Sequence, residues 1–274
     1  MNDLMYQTSY EELITAQRAL ALSYLLREDS FSTDVGLHLP YLWHLVYFWD
    51  VKSNRELDLN FAKNDINIIK KVDMSKPFFF FFVFTFVNPI KIGEPYHKNQ
   101  KVDFSSILDI ESNSNIEVDC YIEIVGLRTT SVIEKHKIIY NYKYNEINYA
   151  NVVKQLLFNN EEVCLYRKCE LSTELTSKFN FICYESNNNF FDRYNNIVEK
   201  GFSGLIVNPK LLLIMIIQNT PKNNEIEKIN YINYRVLFDN IGFLIKYVKR
   251  KNSCLYFICD NEDIVYLSVE VFYA

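Results

Sequence analysis

Glycine and proline are scarce in this chain, six of each in 274 residues, which argues against a disordered or low-complexity protein. Basic charge is lacking as well. A formal net charge of -5 leaves no electrostatic footprint for nucleic acid, and the short basic cluster Lys246–Lys251 reads as a solvated strand end. Sequence-specific DNA binding is therefore not expected, although a structural role on RNA, held by protein neighbours, stays open. The cysteines Cys120, Cys164, Cys169, Cys183, Cys254 and Cys259 form no C-x-x-C pair and have no neighbouring histidine, so zinc-ligand spacing is absent. No metal or cofactor is expected. At this length and cysteine density, free thiols in a reducing compartment are the simpler reading. Long hydrophobic runs are missing too: Phe78–Val87 is too short to cross a bilayer, and Leu205–Ile217 is interrupted by Asn208, Pro209 and Lys210. No membrane span is expected. The N-terminus has mixed charge, unlike a secretory signal or an Arg-rich presequence, and so gives no address. All four histidines, His38, His44, His97 and His136, lie in the N-terminal half.

What is present is apolar and aromatic: 49% of residues are hydrophobic and 16% aromatic, enough for a sizeable core in one large domain or two ordinary ones. The bias toward Asn, Ile, Lys, Tyr and Phe reads as base-composition drift, so single asparagines carry little weight. Helical spacing runs from about Ser9 to Arg27, with Leu13, Ala16, Leu20 and Tyr24 on one face and a capping box in Ser9 and Glu12. Pro40–Trp49 reads as a second, buried helix beginning at its proline. Strand texture follows at Phe78–Val87, Val102–Ile110, Ile116–Ile124 and Val132–Tyr144, with Glu111–Asn115 as a turn.

The C-terminal half repeats this outline. Asn208 is placed as an N-cap and Pro209 as the first residue of an apolar helix through Asn219, and strands follow at Ile229–Phe238, Phe243–Val248, Leu255–Cys259 and Ile264–Phe272. Two copies of a buried helix followed by strands predict an α+β pseudo-dimer. Its repeats are residues 1–150 and 151–274, joined near Asn145–Asn160.

Three blocks carry a family resemblance in addition. Gly36–Asp50 (GLHLPYLWHLVYFWD) is similar to the N-terminal block of the hydroxyacyl-thioester dehydratase type 2 family, the MaoC-like double-hotdog proteins of mitochondrial fatty acid synthesis. Phe84–Glu94 (FTFVNPIKIGE) resembles that family's strand-then-turn block, and Phe190–Leu211 (FFDRYNNIVEKGFSGLIVNPKL) its active-site segment. The resemblance implies a double-hotdog fold in which each repeat wraps a central buried helix. It also implies an acyl thioester substrate, carried on an acyl carrier protein or coenzyme A, and a mitochondrial location.

Dehydrating a 3-hydroxyacyl thioester needs a base, an acid for the leaving oxygen and donors for the developing oxyanion. The resemblance assigns the oxyanion N–H to Gly204, the catalytic Asp or Asn position to Glu185, and a supporting position to Asp192, beside Arg193. The family's two histidine positions fall on Phe190, which cannot transfer a proton, and on Asn208, already explained as a cap. His44 reads as a satisfied core residue, while His97 and His136 show no local carboxylate or cysteine partner. Two functions follow. One is a divergent (3R)-3-hydroxyacyl-thioester dehydratase, a lyase using Glu185 and Gly204. The other is a pseudoenzyme kept as an interaction subunit of a larger, mitochondrial assembly.

Overall fold

The computed structural model describes residues 5–28, 31–48, 77–107, 115–141, 162–183, 204–221 and 224–274. Ten strands form one continuous antiparallel sheet: β1 (Met5–Leu13), β2 (Pro77–Phe86), β3 (Pro95–Ile107), β4 (Asn115–Val125), β5 (Thr130–Asn141), β6 (Cys164–Glu170), β7 (Ile226–Asn233), β8 (Gly242–Lys249), β9 (Ser253–Cys259) and β10 (Val265–Tyr273). Their order across the sheet is β1-β3-β4-β5-β2-β7-β10-β9-β8-β6. Each half thus follows one scheme, first-third-fourth-fifth-second, and the two halves meet where β2 pairs with β7, from Phe80 opposite Asn233 to Thr85 opposite Lys228. This is the double hotdog, built as one sheet.

Among the described residues the α-helices are α1 (Ala16–Leu26), α2 (Thr173–Ile182) and α3 (Pro209–Gln218). α3 starts where the sequence places it, with the Asn208 side chain accepting from the Lys210 N–H at 3.0 Å and Pro209 in the first turn. Leu211, Leu212, Leu213, Ile214, Ile216 and Ile217 are all buried, so the helix is surrounded by core rather than laid on it. In the N-terminal half the expected Pro40–Trp49 helix is one turn of 3-10 helix, Trp43–Val46, entered through Leu42 at φ 66° and left through Phe48 at φ 56°. Both angles are left-handed and carry strain for residues with a Cβ. The turn is held by side chains: Arg18 donates to the Val46 carbonyl at 3.2 Å, and Tyr10 donates to the Phe48 carbonyl at 2.6 Å. The expected burial is met, with Trp43, His44, Val46, Tyr47 and Phe48 all inside.

One helix expectation is corrected at its start. Residues 5–13 form β1 rather than the first turns of a helix, and α1 begins at Ala16 after Thr15, so Ser9 and Glu12 form no capping box. Pairing with β3, from Met5 opposite Asp103 to Leu13 opposite Pro95, overrides the local helical spacing. The buried face of α1 is Ala19, Leu22 and Ser23, while Leu13 and Tyr24 are exposed. α1 packs on α2, joining the halves outside the sheet. The six cysteines are unpaired, and among the described residues no helix is long and apolar enough to cross a membrane.

Candidate functional site

Glu185, Asp192, Phe190 and Arg193 lie outside the described residues. Gly204 lies inside them and is buried. A Cβ added there would meet Asp239 Oδ1 at 2.5 Å. That carboxylate, itself buried, accepts the Leu205 N–H at 2.8 Å and the Thr173 hydroxyl, tying the approach to α3 to the head of α2. Glycine at 204 therefore has a packing reason in this chain. At the head of α3, the N–H groups of Lys210, Leu211 and Leu212 are all taken up by Asn208, through its side chain or its carbonyl at 3.0 to 3.4 Å. Asn208 also donates from Nδ2 to Asn180 Oδ1 at 3.2 Å. Asn208 thus spends its side-chain oxygen on capping and its side-chain nitrogen on packing against α2.

The N-terminal half holds a polar cluster instead. On β5, Val132, Glu134 and His136 share the inward face, because residues two apart on a strand point the same way. Their register partners are apolar or weakly polar: Glu134 sits between Phe84 and Ile122, and His136 between Phe82 and Cys120. Glu134 is 3% exposed, and both its oxygens are engaged, Oε1 with His44 Nε2 at 3.1 Å and Oε2 with His136 Nε2 at 2.7 Å. The absence of a carboxylate partner for His136, expected from its sequence neighbours, is thus corrected: the partner is two residues back on its own strand. His97 also finds a carboxylate, Glu11 across the β1–β3 pair at 3.8 Å, but both are at least half exposed.

Burial alone would push the Glu134 carboxyl up. The hydrogen bonds and positive charge of His136 and His44 outweigh that and hold it well below the usual carboxylate range. An ionised carboxylate only accepts, so each imidazole presents Nε2–H to it, and each Nδ1 is left clear of that bond. A carboxylate that orients an imidazole in this way sets its tautomer. His136 packs on Phe82 with ring centroids 4.2 Å apart, and Phe82 stacks on Tyr231 at 5.4 Å.

Two cavities flank the cluster. One, of about 340 Å³, lies between the N-terminal half-sheet and the first turn of α3, with His136, Tyr231, Lys98, Phe82, Phe84 and Leu213 among its lining. The other, of about 400 Å³, lies beside His44, between Tyr41, Phe86 and Ile226. Both are at the small end of ligand-site volumes. Gly204 lines neither. The Tyr231 hydroxyl is fully buried with no hydrogen-bond partner, and burial raises its pKa, so it stays a neutral donor. Among the described residues no group of three or more His, Cys, Asp or Glu is arranged to hold a metal ion. The sequence signal that could have found the site was Glu134 and His136, in phase with Val132 on an otherwise apolar strand face. His44, ninety residues earlier, joins them only through the fold.

No protein family and no curated protein matches the chain by sequence. Solved structures match it by shape over nearly its whole length. HtdX of Mycobacterium tuberculosis is 8% identical with a TM-score of 0.65, covering 98% of this chain and 100% of that one. A MaoC-like dehydratase from Phytophthora capsici is 8% identical with a TM-score of 0.60, covering 99% and 95%. An acyl-ACP thioesterase from Bacteroides thetaiotaomicron is more distant, at 7% identity and a TM-score of 0.51, covering 98% of each chain. The chain has the hotdog fold of the MaoC-like dehydratases.

Proposed function

We propose that this double-hotdog chain binds acyl thioesters and acts as a hydratase or dehydratase of the (3R)-3-hydroxyacyl-thioester type, with the usual histidine site of the fold lost. The observation that carries the reading is the cavity of about 340 Å³ between the N-terminal half-sheet and the head of α3, apolar on most of its wall and bordered by a histidine. An apolar enclosure with a few convergent polar groups is what a short acyl chain and its polar thioester require. A mitochondrial role in fatty acid synthesis, with substrate on an acyl carrier protein or coenzyme A, belongs to the same proposal. The test is a thermal-shift titration of the full chain with crotonyl-CoA and octanoyl-CoA, followed by a hydration assay with crotonyl-CoA. A saturable rise in melting temperature and hydration above the buffer rate support the reading. No shift with either thioester sinks it.

A second reading has its own support, the head of α3. There Asn208 stands at a family histidine position and spends its polar atoms on capping the helix and on Asn180. That is the geometry of a packing unit, and it supports a pseudoenzyme serving as a subunit of a protein assembly. Affinity purification of the tagged chain from its native cells would then return a stable stoichiometric complex. Recovery as monomer or self-dimer alone counts against it.

A further inference from the structure

We infer that the cavity between the N-terminal half-sheet and α3 is a binding site for a free medium-chain carboxylic acid, with Lys98 and Lys210 receiving the carboxylate and the apolar wall receiving the chain. The inference goes beyond the acyl-thioester reading. A thioester is neutral where its acyl chain begins, so it leaves the charge on this wall without a counterpart.

The sign of that charge is the first observation. The chain carries 34 acidic residues against 29 Lys and Arg, yet among the described residues the cavity is lined by Lys98, Lys210 and His136 and by no Asp or Glu. Cys120, on the same wall, adds no negative charge, because burial pushes its thiol up to about 11. Glu134 would repel an anion, but it is off the wall, and its oxygens are taken up by His44 at 3.1 Å and His136 at 2.7 Å.

The placing of the two lysines is the second. On β3, Lys98 is in phase with Gln100 and Val102, which also line the cavity, so the strand turns all three the same way. Its ammonium lies 5.2 Å from the centroid of the Tyr10 ring, on the neighbouring strand. Lys210 sits in the first turn of α3, where a cation meets the positive end of the helix dipole, and no acidic residue in that turn offsets it. Helix formation gives no reason for a lysine there. An anion in the cavity does.

The third is size. Phe82, Phe84, Ile122 and Leu213 share with the lysines one cavity of about 340 Å³, at the small end for a ligand site. Such a space has no room for an acyl chain together with the phosphate at the far end of a pantetheine arm. The anion that meets these lysines is therefore joined directly to the chain, and a carboxylate has the two acceptor oxygens to take an ammonium on each side.

The experiment is calorimetric titration of the full chain with sodium octanoate, sodium hexanoate and octanamide, with octanoyl-CoA as a separate arm. Octanoate is expected to bind saturably at one site, and hexanoate about tenfold more weakly for its two fewer methylenes. Octanamide, of the same length without the charge, should bind at least about tenfold more weakly than octanoate. Lys98→Met and Lys210→Met, both at partly exposed positions outside the core, should each weaken octanoate about tenfold. Added salt should weaken the wild type as well. Lys101→Met, on the opposite face of β3, is the control and should leave octanoate binding unchanged. Absence of saturable octanoate binding, an octanamide affinity equal to that of octanoate, or lysine variants within about twofold of wild type overturns the inference. Octanoate binding without octanoyl-CoA binding keeps it and sinks the thioester reading, while octanoyl-CoA binding without octanoate binding does the reverse.

Discussion

The two halves of the sheet share one strand order, yet they hold different things at their centres. In the C-terminal half the centre is α3, ten residues long and with six of them buried apolar side chains, its head closed by Asn208. In the N-terminal half it is a four-residue 3-10 turn carrying a buried histidine onto a buried glutamate. The contrast shows that strand order tolerates large changes in what it encloses. In the C-terminal half the buried carboxylate, Asp239, is spent on the Leu205 N–H and the Thr173 hydroxyl, while in the N-terminal half the buried Glu134 bridges two histidines.

If the cluster in the N-terminal half is as costly to disturb as its burial implies, His44→Leu has the largest stability effect. Removing His44 leaves Glu134 Oε1 buried without a partner while Oε2 keeps His136, and an unsatisfied oxygen of a buried carboxylate costs about 3 kcal/mol. Urea unfolding at neutral pH should show that loss. The pH dependence follows from the direction of the Glu134 shift. A carboxyl depressed by its partners contributes stability that is fully present above the ordinary carboxylate value of about 4.3 and is lost as pH falls through the lower folded value. The curves for wild type and His44→Leu should therefore converge below about pH 4. A constant gap from pH 7 to pH 3 would reduce His44 to a space-filler and remove the contrast between the halves.

Gly204→Ala probes the other half at intermediate cost. The new Cβ would meet Asp239 Oδ1 at 2.5 Å, and that oxygen is committed to the Leu205 N–H, so the carboxylate or the backbone must move. Overpacking of this kind costs about 1–3 kcal/mol. Paired with Asp239→Asn, the substitution should be less than additive, because both act on one contact. Full additivity in a double-mutant unfolding cycle would mean that Gly204 is kept for some reason other than room for Asp239.

How much of this was legible depends on where each element finds its partners. The strands β2, β4, β5 and β7 to β10 carry their own apolar or alternating pattern, and α3 carries its cap and proline, so local sequence locates them. β1 has a helix-like spacing and becomes a strand through its partner β3, while β6, exposed at most positions on the far edge of the sheet, has no apolar alternation to read. α2 buries Thr176, Phe179 and Asn180, too narrow and too polar a stripe to stand out. The same division holds for the site. Glu134 and His136 could be paired from strand phase alone, but His44 reaches Glu134 only where the 3-10 turn packs on the sheet. Glu185 and Asp192 rest on resemblance alone.

Asn208 separates the two halves most finely, with the smallest effect. Its Oδ1 receives the Lys210 N–H and its carbonyl receives that of Leu211. Asn208→Ala removes the side-chain acceptor at the N-cap and should cost about 1 kcal/mol. Asn208→Asp keeps an acceptor there and adds a charge favourable to the helix N-terminus, but it places that charge where Asn208 is 1% exposed and gives up the Nδ2 donor to Asn180. A cap alone predicts that Asp matches Asn. A buried amide pair predicts that Asp is as poor as Ala or worse. Urea unfolding of the two variants therefore tells whether this position is held by the helix it starts or by α2 behind it.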